Sequence, residues 1–159
     1  MPVSTTKPRR DLVHLLSRAE HLAARRLAAA LDAEAEGCSI DQWRALAFLA
    51  DDTGRTMSEL ADYALLPAPT ATKLIDRLVA DNLVYRHPDP TDRRRVLVYL
   101  TDRGVLRHER AAAIVARVQG ELLANVDEGM PFGEQLSALG DALDVVSRRP
   151  PAEAVRPAS

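Results

Sequence analysis

Residues 67–104 read PAPTATKLIDRLVADNLVYRHPDPTDRRRVLVYLTDRG, and a change of period inside them decides the fold. Leu74, Ile75, Leu78 and Val79 recur at helical spacing over Ala68–Asp81 and stop near Asn82. The period then shortens. Leu83–His87 and Val96–Leu100 are short runs rich in β-branched and aromatic residues, bracketing the turn-rich loop Pro88–Arg95. Such a pair reads as a β-hairpin with an extended tip. Pro67 and Pro69 are tolerated at the helix start, where amides have no intrahelical partner to lose.

Outward from this stretch the chain is helical on both sides. Thr56–Glu59 is a T-x-x-E capping box opening a short helix with Leu60, Ala61 and Leu65. Ser39–Gln42 is a second box, S-x-x-Q, before a helix carrying Trp43, Leu46, Ala47 and Leu49, which Asp51–Gly54 breaks with turn residues. Apolar positions from Leu12 to Leu31 predict a long helix over 10–36, with Gly37 as its C-cap. After Gly104 a second long helix is expected to about Asn125, then an interruption at Gly129-Met130-Pro131 and a last helix over Phe132–Arg148. Residues 1–9 and 149–159 read as a flexible and a disordered tail. The expected fold is mostly α with a small β-hairpin wing. A winged helix-turn-helix domain over 37–104 is joined to long N- and C-terminal helices over 10–36 and 105–148.

Composition narrows the function. A hydrophobic fraction of 47% with 28% charged residues is that of a globular chain, and no apolar run approaches a membrane span. The N-terminus lacks a signal peptide's apolar core, and a single cysteine, Cys38, suits a reducing compartment, so a cytoplasmic location is expected. Six aromatic residues leave little for a stacking platform that binds single strands. No nucleophile motif, glycine-rich phosphate loop or carboxylate pair stands out, so neither an enzyme nor a cofactor is expected.

The winged pattern makes Ala68–Asp81 the recognition helix. Its outward residues Pro69, Thr70, Thr72, Lys73 and Arg77 would meet DNA, and small Ala68 and Ala71 would allow close backbone approach. The hairpin tip carries Arg93, Arg94 and Arg95, suited to the negative minor groove. Alternation along a hairpin prevents all three from facing one way, so one of them serves structure. Net charge fits this placement. Residues 67–104 carry +2, whereas the other 121 residues carry −4.

The stretch from Leu60 to Gly104 resembles the core of the MarR family of transcriptional regulators. The matching elements are Thr72-Lys73-Leu74-Ile75-Asp76-Arg77-Leu78, Leu83-Val84-Tyr85-Arg86, Asp92-Arg93-Arg94 and Leu100-Thr101-Asp102-Arg103-Gly104. Pro67 departs from the family's polar N-cap, and Asn82 stands where glycine is usual, which asparagine can replace in a left-handed conformation. The resemblance implies a homodimer, with the long terminal helices as dimerisation helices, on pseudopalindromic double-stranded DNA. It implies a repressor released by a small, often aromatic, effector. It also makes Arg94 the wing arginine, with Asp76 pairing to it and Asp92 supporting the wing.

Family effectors bind a cleft between the dimer helices and the winged domain, which Leu16, Trp43 and Leu46 could border, although the same residues suit a core. A redox sensor through Cys38 is a competing reading. Against it, Glu34, Glu36 and Asp41 lie near in sequence and would raise the thiol pKa. A metal sensor is another. His14, His21 and His108 form no tight cluster, so no metal is expected. A helical dimer whose winged domain binds a protein is the alternative of a different class.

Overall fold

The computed structural model describes residues 11–124 and 132–148. Its elements run α1 (Leu12–Glu34), α2 (Ile40–Phe48), α3 (Met57–Ala64), α4 (Ala68–Ala80), β1 (Val84–Pro88), β2 (Val96–Leu100), α5 (Asp102–Leu123) and α6 (Phe132–Arg148). The fold is mostly helical with a two-stranded antiparallel wing, as the change of period predicts. The expected break at Gly129–Pro131 and both expected tails lie outside the described residues. No described helix is long and apolar enough to cross a membrane.

Local chemistry sets the helix boundaries. Both expected capping boxes form: Ser39 with Gln42 opens α2, and Thr56 with Glu59 opens α3. Three helices close on left-handed residues. Asn82, φ 54, ends α4 with Leu83 N–H donating to the Leu78 carbonyl at 2.8 Å. Leu65, φ 57, ends α3 in the same way, with Leu66 N–H donating to Ala61 at 2.9 Å. At the end of α1 the left-handed turn begins at Glu36, φ 54, one residue before the expected Gly37, φ 72. Glu36 is held there because its carboxylate pairs with Arg107 at 2.6 Å and Arg110 at 2.8 Å on α5.

The chain divides into two compact units, one to Gly120 and one from Glu121. In the first unit, α2, α3, α4 and the hairpin enclose Leu46, Leu49, Leu60, Ile75, Leu78, Leu83, Val84 and Val98. A second core joins Leu31, Ala35 and Cys38 to Ala111, Ile114, Val115 and Val118. In the second unit, α6 exposes Phe132, Leu136 and Leu143.

The wing pairs Val84 with Leu100 at its base and Pro88 with Val96 at its outer end. A third segment joins it, which the sequence pattern did not predict. Arg55 exchanges backbone hydrogen bonds with Val98, at 3.0 and 2.8 Å, and lays its guanidinium over the Phe48 ring. Gly104 sits where α5 leaves β2. A Cβ there would lie 2.0 Å from the Leu83 carbonyl oxygen, a backbone atom already accepting from Thr101 N–H at 3.0 Å.

Gly104→Ala is therefore expected to lower folding stability by about 3 kcal/mol, because the clash is with backbone that cannot repack. The midpoint of urea unfolding measures it, and an unchanged midpoint would refute the close approach. Cys38, 2% exposed, is expected to react with a thiol reagent far more slowly in native than in urea-unfolded protein. Stopped-flow labelling reads this difference.

Candidate nucleic-acid interface

The face that α4 buries leaves the rest of the helix outward. Ala71, Ile75 and Leu78 are buried and Leu74 packs partly against them. Ala71, 1% exposed, is therefore core and not a point of close backbone approach, a correction that follows from its place one turn before Ile75. Pro69, Thr70, Thr72, Lys73 and Arg77 are all exposed.

The polar capacity of the α4 start is smaller than its exposure suggests. Pro67 is the N-cap and makes no side-chain cap bond. Pro67 and Pro69 have no N–H, and the Thr70 and Ala71 amides both donate to the Pro67 carbonyl, at 2.9 and 3.0 Å. Few amides are left for a phosphate. Thr72 Oγ1 donates to the Ala68 carbonyl at 3.0 Å, so its one proton is committed within the helix. Thr70, Lys73 and Arg77 keep their donors. Arg77 also lines a 220 Å³ cavity with Glu36, Asp81, Arg103 and Arg107, on the side where α4 meets the start of α5.

The wing tip is built on an aspartate that motif reading passed over. Asp89 is 6% exposed, and its Oδ1 accepts from Thr91 N–H at 2.8 Å and Thr91 Oγ1 at 2.6 Å. The Thr91 hydroxyl is the first cause that holds the Asp89 carboxyl below its ordinary range. Asp89 N–H donates to the Arg95 carbonyl, and Arg95 N–H to the Asp92 carbonyl, both at 2.9 Å. Asp92 Oδ1 accepts from Arg94 N–H at 3.0 Å, a bond made within the turn of the wing tip. A proline-flanked D-x-T pattern, Asp89-Pro90-Thr91, was the available signal for Asp89.

The three arginines divide. Arg95 Nη1 lies 3.9 Å from Asp89 Oδ2, and the same side chain helps hold Glu59 of α3 in its charged form, after Thr56 and Arg55. Arg93 and Arg94 are exposed with no side-chain partner among the described residues.

Asp76 pairs with Arg86 at 2.7 Å, and not with Arg94 as the resemblance implies. The register explains this. Arg86 faces Val98 in the middle of the ladder beside α4, while Arg94 lies on the tip beyond the last pair. Both side chains are partly exposed, so the bridge contributes about 0–1 kcal/mol and mainly orients the hairpin against the helix.

The residues expected to border an effector cleft separate. Leu46 is fully buried in the winged core, which corrects its expected place in a pocket: α2, α3 and α4 close over it. Trp43 stacks on His108 with ring centroids 5.3 Å apart, and Leu16 is half-buried on α1. A 550 Å³ cleft opens elsewhere, lined by Leu49, Ala50, Asp52, Tyr85, Leu100, Thr101, Asp102 and Val105. Burial pushes the Cys38 thiol up, opposed by the Arg107 charge. The direction is as expected, but the cause is burial and not acidic neighbours. Among the described residues no three His, Cys, Asp or Glu side chains are grouped to hold a metal.

Comparison with known proteins bears on the same residues. A family model described as the MarR family matches residues 36–95, from the end of α1 through the wing tip. The transcriptional activatory protein BadR of Rhodopseudomonas palustris is 34% identical over 100 residues, 58% of this chain, which spans 57% of that relative's length. The HTH-type transcriptional regulator YwoH of Bacillus subtilis is 30% identical over 116 residues, covering 73% of this chain and 82% of YwoH. The structure of the transcriptional repressor CouR bound to a 23-mer DNA duplex superposes with a TM-score of 0.68 at 25% identity, over 87% of this chain and 93% of that one. Agreement in the winged core, and along most of YwoH, means that the chain belongs to the MarR family.

Proposed function

We propose that the chain acts in the cytoplasm as a homodimer that binds pseudopalindromic duplex DNA sequence-specifically and represses transcription until a small ligand releases it. One observation carries the reading: Lys73, Arg77, Arg93 and Arg94 point outward from helix and wing, while Arg86 and Arg95 are held by carboxylates of the same domain. Cations left free beside a protruding helix suit a phosphate backbone, and tied ones suit the scaffold that aims them. The +2 charge of residues 67–104 within an acidic chain concentrates attraction on that face. The likeness to a repressor solved on a DNA duplex supports the same docking.

The dimer part rests on apolar side chains that each terminal helix leaves exposed. These are Leu12, Leu15 and Leu22 on α1, Leu122 and Leu123 on α5, and Phe132, Leu136 and Leu143 on α6. A second copy offers such side chains apolar cover, and a two-fold dimer on a pseudopalindrome presents its two recognition helices about one DNA turn apart. The effector part rests on the 550 Å³ cleft at the hairpin base, of ordinary ligand size. The relatives include a named activator and a named repressor, so transcription from the bound promoter, with and without the protein, decides the sign.

Sedimentation should give twice the 17.4 kDa chain mass. On a duplex selected from the source genome, Arg94→Ala is expected to weaken binding about tenfold at moderate salt, the scale of one charge-assisted hydrogen bond. The slope of log affinity against log salt should fall by about 1 for each such phosphate contact. Arg95→Ala should instead act mainly by loosening the tip. Equal affinity of Arg94→Ala and wild type would refute the wing assignment, and failure to select any duplex would favour a protein partner.

A further inference from the structure

Between its cationic flanks, the surface at the start of α4 is apolar. Leu65 is 81% exposed, the highest among the large hydrophobic side chains of the described residues, and Pro67, Ala68 and Pro69 after it are exposed too. Exposure of so large an apolar group is unfavourable, and no packing within the described chain offsets it. Most groups at the helix start that would read base edges by hydrogen bonding are missing or committed, the Thr70 hydroxyl being the exception. Two of the first residues are prolines, the Thr70 and Ala71 amides serve the Pro67 carbonyl, and the Thr72 hydroxyl serves Ala68. What Thr72 still presents to a donor-poor surface is a methyl group and hydroxyl lone pairs. Lys73 one turn on, Arg77 further along α4, and Arg93 and Arg94 on the wing supply charge complementary to a nucleic acid on the same domain.

We propose that this tip reads thymine through its 5-methyl group, with Leu65 and Pro69 as the specificity-determining contacts. The proposal rests on the DNA-binding reading above and adds what the helix selects. In the major groove the thymine methyl is the one apolar feature of a base edge, so side chains lacking donors distinguish thymine from cytosine by covering it. A methyl removed from water against aliphatic carbon changes affinity about fourfold. Contact with the sugar or phosphate would not depend on that methyl.

The test uses the full chain and a duplex that the wild type selects from a random-sequence library. Each thymine of that duplex is replaced in turn by deoxyuridine, which keeps the pairing and removes only the methyl. Affinity is read by fluorescence anisotropy at fixed salt. One or two replacements per half-site should each weaken binding about fourfold. Leu65→Gly should melt at a higher temperature, since glycine accepts the left-handed φ of 57 that leucine tolerates poorly, which also establishes that the variant folds. It should bind the thymine and deoxyuridine duplexes equally at the position beneath residue 65. Pro69→Ser should lose a penalty at a neighbouring position. Equal wild-type affinity for the thymine duplex and a fully deoxyuridine-substituted one overturns the proposal. So do unchanged penalties at every position in Leu65→Gly. A library that yields no bound duplex overturns the DNA-binding reading itself, an outcome distinct from either.

Discussion

The base on which α4, the wing and α5 meet is tied at Thr101. Its N–H donates to the Leu83 carbonyl at 3.0 Å, and its hydroxyl donates to the Asn82 carbonyl at 2.8 Å while accepting from Gly104 N–H at 3.0 Å. One residue thus ties the end of α4, both base strands of the wing and the first turn of α5. Gly104 has no side chain because the Leu83 carbonyl occupies the space where one would go. A change in the angle between helix and wing would strain this knot, so the spacing between the two cationic elements rests on backbone hydrogen bonds here and on the Asp76–Arg86 pair above.

Above that base, carboxylates decide which cations remain available. Asp76 takes Arg86, and Asp89 orders the tip through Thr91 and draws Arg95 toward the scaffold. Asp76 and Asp89 thereby sort the arginines of residues 86–95 into an inner pair held by carboxylates, Arg86 and Arg95, and an outer pair, Arg93 and Arg94, left exposed.

Features written over three or four residues were legible in the sequence. The capping boxes at Ser39 and Thr56 and the left-handed Asn82 are local chemistry, and the helical and alternating periods placed α4 and the hairpin. Features that join distant segments were not. The Arg55–Val98 bridge spans 43 positions and leaves no periodic trace. Asp76 was drawn to the wrong arginine because the choice between Arg86 and Arg94 depends on hairpin register. Ala71 was misread because alanine suits a core and a close approach equally, and Leu46 stayed open between core and cleft wall because burial on α2 depends on where α3 and α4 close. The hydroxyl of Thr72 was counted as available although its own helix accepts its proton, because residue type alone does not show whether an exposed helical threonine makes that bond.

The stack of Trp43 on His108 joins α2, an element of the winged core, to α5, the long helix that leaves it. Trp43 is the chain's sole tryptophan, and its ring lies within 1° of parallel to the imidazole. Indole emission responds to ring overlap with its neighbour, so a shift of the winged domain along the long helix changes the colour and yield of one fluorophore. The molecule carries its own optical gauge at the joint, readable without a label.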